Sequence, residues 1–311
     1  MLAAATAVLT AGLLAVASVG TADARDSARK GPSCELASAP PLAVQRPDQA
    51  PPAGRLLRRL ADRLRPLPSD AQAGRYAYSD LQMQAADTTP GDPCVVTVTA
   101  HADEQRWRAD DGSGQVSGTP WHLDPANPPA VETTTYSAGE LRGVVPGPVP
   151  TDPATLAAAL DAAYPPGDVA VAQVRPLRAA EVMRQVRHGG TAARVRAVSE
   201  LNGWHYVDRA ARRAVLLVLA DVKKLKNRGS VAGYPGAIAV SVDTGDWRDL
   251  LVLDPQTGAV LAYEQVLLRN GHLLGVRTPY MNARIVYIDR GRSSQVGCAP
   301  AAEYRTDGSG G

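Results

Sequence analysis

The chain has 311 residues, a formal net charge of +2 and no phenylalanine. Such a length holds one large domain or two small ones, and a charge so near neutrality argues against nucleic acid as a partner. Packing must rest on Val, Leu, Ala and Ile, while Tyr and Trp, whose polar tips want partners, are expected at sheet edges or cavity mouths.

Residues 1–24 read as a signal peptide or membrane anchor. The apolar run from Leu2 to Gly20 closes on Ala22-Asp23-Ala24, whose small residues suit signal peptidase. About 20 residues at ~1.5 Å rise also span a ~30 Å hydrocarbon core, but a run of mostly Ala, Val, Thr and Gly is a weak span and favours cleavage. The first cations, Arg25, Arg29 and Lys30, follow the run, so a basic stretch upstream of Met1 is expected. Either reading places the protein outside the cytoplasm, secreted or in the cell envelope, with an N-terminal tether if the run is retained. Asp23 is the only charge removed by cleavage, which moves the net charge from +2 to +3.

Export sets the chemistry of the three cysteines, Cys34, Cys94 and Cys298. An odd count in an oxidising compartment suggests one disulfide and one free thiol, or an intermolecular bond. Bridging Cys34 to Cys298 would tie down two tails, but all three pairings stay open. No C-x-x-C pair or nearby His favours a metal site.

Residues 25–53, rich in Pro, Ala, Ser and charge, read as a spacer. A helix is predicted over Gly54–Arg65, where Leu56, Leu57, Leu60 and Leu64 share one face and five arginines with Asp62 fill the others. Docking of the Leu stripe on the fold is preferred over contact of the basic face with anionic lipid. Strands are predicted over Gly74–Met83, Cys94–His101, Gln105–Arg108 and Val131–Tyr136, with Ala102-Asp103 as a short step and Asp110–Pro120 as loop. A Pro-rich passage at Val145–Pro150 separates the halves. Asp152-Pro153 opens a helix to Ala163, and further helices follow at Leu177–Arg187 and Thr191–Leu201. At Asp208–Val222, an Asp cap, the apolar run Ala214–Ala220 and the closing Lys223-Lys224 predict a helix buried nearly all round. Strands return at Ala237–Val242, Leu250–Leu253, Ala259–Leu268 and Ala283–Ile288. Asp254-Pro255-Gln256-Thr257-Gly258 joins the middle pair as a type I turn with Gly258 in a left-handed bulge. Strands, then helices, then strands argue for α+β with an antiparallel sheet, a single domain over 54–290, and a flexible tail at 291–311.

Several segments resemble, in order, a family of exported, mostly uncharacterised proteins of high-GC bacteria whose genes often neighbour an extracytoplasmic-function sigma factor. They are the Leu/Arg helix with Gly74-Arg75-Tyr76-Ala77-Tyr78, the stretch Arg106-Trp107-Arg108-Ala109-Asp110-Asp111-Gly112-Ser113-Gly114, and Thr151-Asp152-Pro153-Ala154-Thr155-Leu156. Arg209–Ala214 with Leu219-Ala220, and Leu253–Leu261, complete the set. The resemblance implies the lipoprotein-carrier fold and the sigma-regulator domains that share it. In these a strongly curved antiparallel sheet is wrapped around or covered by helices, with an apolar hollow between them. It implies no catalytic residues. This chain departs from the family in starting directly on its apolar segment, in its three cysteines and in lacking Phe.

Catalytic patterns are sparse. Asp243-Thr244-Gly245 is the tripeptide of aspartic proteases, but Asp246 follows it and a hairpin turn explains it better. There is no G-x-S-x-G elbow, phosphate loop or dinucleotide fingerprint, and the Asp110–Gly114 segment lacks the alternating ligands of a calcium loop. His205 and Asp208 stand three apart at a helix start, where a packed histidine is commoner than half of a triad.

The sequence therefore reads as a non-enzymatic extracytoplasmic binding protein with no cofactor. It would hold an apolar ligand or lipid, or engage a membrane regulatory partner of the sigma-factor kind. Tyr76, Tyr78, Val96, Val98, Trp107, Leu251, Leu253 and Leu261 are the candidate lining of a hollow, unless they simply pack beneath the Asp208–Val222 helix. An envelope hydrolase using His205, Asp208 or Asp243, and a purely structural envelope protein, are the alternatives.

Overall fold

In the computed structural model, which describes residues 35–89, 94–164 and 191–300, those residues form one nine-stranded antiparallel sheet and four α-helices. Helix α1 (Gly54–Ala61) precedes a meander of β1 (Tyr76–Thr89), β2 (Val96–Ala109), β3 (Gly114–Gly118) and β4 (Glu132–Tyr136) that steps outward to one edge. Helices α2 (Pro153–Ala163), α3 (Thr191–Trp204) and α4 (Arg209–Ala220) follow. A second meander, β5 (Lys226–Val231), β6 (Tyr234–Thr244), β7 (Trp247–Leu253), β8 (Val260–Leu267) and β9 (Tyr280–Ser293), then steps inward until β9 pairs with β1. Helix α3 lies on the sheet, while α4 packs on α1 and α2.

Side-chain alternation divides the sheet into two faces. On β7, Leu251 and Leu253 join the helix-side core, and Leu250 and Val252 point the other way into a cluster covered by Leu42 and Val44. Both faces of this strand are dry, which is why its sequence is an unbroken apolar run. Residues 35–53 are thus part of the fold rather than a spacer. Val44 bridges to Val231 and Pro52 to Lys226, and the Ala53 N–H donates to the Leu225 carbonyl at 2.9 Å. The expected tail is likewise built in up to residue 300: β9 continues to Ser293, and the Trp107 indole N–H donates to the Cys298 carbonyl at 2.8 Å.

Other expectations shift for identifiable reasons. Strand β2 runs straight through Ala102-Asp103 because Asp103 pairs with Gln82 and turns its side chain to water, so the ladder is not interrupted. The predicted loop at 110–120 contains β3, and β5 arises where no strand is predicted; both depend on neighbours for their pairing. The helix expected at 177–187 lies outside the described residues. Trp247 is fully buried and Tyr263 and Tyr287 sit in the helix-side core, against the expectation of edge positions. Burial of the two tyrosines is tolerated because both hydroxyls donate at 2.6 Å, to Asp249 Oδ1 and to the Ser199 carbonyl. Cys298 is an exposed free thiol, so the pairings that require it are not formed; Cys34 lies outside the described residues.

Candidate functional site

The eight candidate lining residues do not share a surface. Leu251 and Leu253 are wholly buried in the helix-side core with side chains of α3 and α4, so they are packing. Tyr78 and Trp107 pair across β1 and β2 with ring centroids 5.3 Å apart and are buried on the opposite face, where the Cys298 segment covers them. Tyr76 shares their face by alternation and stacks under Arg75, whose Cζ stands 5.4 Å from the ring centroid. Leu261 is the extra residue where the pairing of β7 and β8 shifts register, and it lines a cleft of about 70 Å³ with Leu67, Ser69, Tyr287 and Arg290. That is less than half of the roughly 150 Å³ of an enclosed cavity that admits benzene.

Val96 and Val98 are different. Both remain exposed, on the helix-side face of β2 beyond the reach of α3. The bridge between His101 and His122 lays residues 121–123 beside β2, which puts Trp121 and Leu123 on that same face. Val131, just before β4, is exposed as well but lies on the other face, because the register Glu104–Gly118–Glu132 puts Glu132 on the helix side; the five apolar residues are between 37 and 64 % exposed. Strand β4 ends the sheet two strands over from the Glu104–Arg108 stretch of β2, with Glu132–Thr135 exposed and, among the described residues, one side of its backbone unpaired. The far edge, β5, is covered by the bridges from Val44 and Pro52. Edge strands are often blunted by Lys, Pro or a covering segment; Glu132-Thr133-Thr134-Thr135-Tyr136 is short and carries one charge, but it has neither Lys nor Pro, and no segment among the described residues covers it.

A second constellation was not anticipated. Ser79 pairs with Arg106 on one side and Arg290 on the other, and Ala77 with Arg108 and Arg292, so two rows of arginines cross the helix-side face. They receive the chain leaving α3. Asn202 Oδ1 accepts from Arg290 at 2.9 Å, the Gly203 carbonyl accepts from Ser79 Oγ at 2.8 Å, and the Arg106 guanidinium carbon lies 3.9 Å from the Trp204 ring centroid. Arg108 donates to His205 Nδ1 at 3.3 Å, and Arg292 stacks on Tyr206. Arginines at alternating positions look like a solvent face, and nothing local distinguishes these from one. Burial lowers the Arg290 guanidinium to about 10, against the partly compensating Tyr287 hydroxyl.

The residues considered for hydrolysis are each held by other partners. Asp208 caps α4, accepting from the Ala211 N–H at 2.8 Å. Asp243 receives both Arg228 and Arg248, next to the two-residue turn Gly245-Asp246. His205 faces Arg108, a cation that cannot orient a general base as a carboxylate does. Among the described residues no group of three or more potential ligands is placed to hold a metal ion, and no helix is long and apolar enough to cross a membrane. Comparisons with protein-family models, with curated proteins and with solved structures find no match to this chain.

Proposed function

We propose that this is a non-enzymatic extracytoplasmic binding protein that engages a protein partner at the membrane through its open β4 edge. The supporting observation is the asymmetry of the sheet: one edge is covered by the chain's own N-terminal segment, while among the described residues nothing pairs with the outer side of β4, which the exposed Val131 precedes. An extended segment of a partner added to β4 would satisfy the unpaired backbone groups, and the exposed Val131 beside it would add contact area. A curved sheet wrapped about its helices, as in lipoprotein-carrier and sigma-regulator domains, is the architecture in which we place this edge.

The test is site-specific photo-cross-linking of the full chain in its native envelope, with the probe at Thr134 on β4 and, as a control, at the exposed Thr278. One envelope protein is expected to cross-link at Thr134, not at Thr278, and to be lost when Val131→Lys is introduced. Equal labelling at both sites would sink the edge proposal. A stoichiometric lipid co-purifying in native mass spectrometry would restore the apolar-ligand reading in its place.

A further inference from the structure

We propose that the outer faces of α1 and α4 together form a cationic platform that lies on an anionic phospholipid bilayer. Leu57 and Ala61 of α1 are buried against the helical layer, which fixes the arginine side of α1 outward. The two helices run antiparallel: Arg58 pairs with Asp221 at 2.6 Å, and Arg213 stands 3.7 Å from Asp62. Those contacts engage Asp62 and Asp221, and Asp208 is turned into the N-terminus of α4. Arg55, Arg59, Arg63, Arg209, Lys223 and Lys224 stay exposed, with no carboxylate at ion-pair distance among the described residues. Six unpaired cations exceed the net charge of the whole chain, +2, so positive charge is segregated onto this one face.

The shape and the chain both point to a bilayer as the occupant. Helix α1 presents Arg55, Arg58 and Arg59, the narrow exposed side of α4 presents Arg209 and Arg213, and Arg63, Lys223 and Lys224 extend the charge beyond the helix ends. Long, flexible cationic side chains spread in this way suit a layer of headgroups better than a single small anion. Where the apolar run from Leu2 to Gly20 is retained, it precedes α1 in the same chain, and two weak membrane signals in one protein reinforce each other. Each cation that engages an anionic surface strengthens binding about fivefold.

The test uses the full chain reconstituted with phosphatidylcholine bilayers, with or without phosphatidylglycerol, and reads the rate at which Lys223 and Lys224 are acetylated. The neutral bilayer controls for anything the N-terminal run does alone. Acetylation is expected to slow by at least ~fivefold only when phosphatidylglycerol is present, and to recover in high salt. The triple change Arg55→Glu, Arg59→Glu, Arg63→Glu is expected to abolish the protection with an unaltered unfolding transition. The corresponding Arg→Gln set serves if charge reversal impairs folding. Equal rates in both bilayers would overturn the proposal, as would protection by soluble polyphosphate without protection by the anionic bilayer.

Discussion

His205 shows how one buried side chain makes stability depend on pH. Its Nδ1 accepts from Arg108, so the ring carries its proton on Nε2, a buried atom with no hydrogen-bond partner. The ring abuts Gly143, where any side chain would collide with it. Burial first, and the Arg108 charge second, push the imidazole down to about 3. An unfolded chain protonates this residue near pH ~6.5, so the folded state binds fewer protons below that value. The stability that the neutral ring confers is therefore complete above about pH 6.5 and is lost progressively as the pH falls towards 3. His205→Asn keeps an acceptor for Arg108 but does not titrate. Between pH 7 and 5 the variant is expected to lose up to ~2 kcal/mol less than the wild type in urea unfolding. Parallel losses would show that the ring is hydrated in the fold. The core contains a second polar commitment at Asp249, wholly buried and gripped by Arg196 at 2.8 and 3.1 Å and by the Tyr263 hydroxyl. Asp249→Asn leaves the guanidinium without its counter-charge and is expected to cost ~3 kcal/mol. Asp161→Asn, which breaks the exposed pair with Arg194, is expected to cost less than ~1 kcal/mol in the same denaturation assay.

Among the elements, the turn between β7 and β8 combines a backbone demand with a packing demand. Gly258 has a φ of 73°, and a Cβ there would stand 3.0 Å from Leu64 and 3.2 Å from Leu216, where the end of the α1 segment meets α4. Gly139 has a φ of 81° with open space around it. Gly139→Ala is expected to cost ~1 kcal/mol for the left-handed backbone alone, and Gly258→Ala distinctly more; equal losses would show that Leu64 and Leu216 yield freely. This turn was legible in the sequence because its signal is local: Pro255 and Gly258 stand where the turn type requires them. The same holds for the Asp208 cap and the apolar run of α4. Strands β3 (Gly-Gln-Val-Ser-Gly) and β5 (Lys-Asn-Arg-Gly-Ser-Val) carry no alternation of their own and exist because neighbours pair with them. Alternation also finds which residues of a strand share a face, but not what covers it. Tyr78 and Leu251 both look inward from their own strands, yet one lies beneath the Cys298 segment and the other beneath the helices. The arginine rows escaped for the same reason, since Arg106 and Arg108 become buried only when the chain leaving α3 is laid over them.

At the scale of the molecule, the sheet closes in the middle of its order rather than at an edge. The chain builds outward from β1 to β4, crosses through the helices, and returns from β5 to β9, so the β1 and β9 pairing joins the first and last thirds of the fold. Cross-linking the segment before the sheet to the first meander would reinforce this closure by limiting the freedom of the unfolded chain. With Cys298 free, the one intramolecular pairing left to an exported chain is Cys34 with Cys94. It would fasten the segment that covers the opposite face of β5–β8 to the start of β2. We expect non-reducing peptide mapping of exported protein to recover a Cys34–Cys94 peptide and an unmodified Cys298. Such a loop of about 60 residues stabilises by roughly 4 kcal/mol in the chain-entropy account, so Cys94→Ser is expected to lower the unfolding midpoint while Cys298→Ser leaves it unchanged. A mapped bridge to the Cys298 thiol in the monomer, or equal effects of the two substitutions, would show that the C-terminal segment, and not residues 35–53, is what the cysteines hold in place.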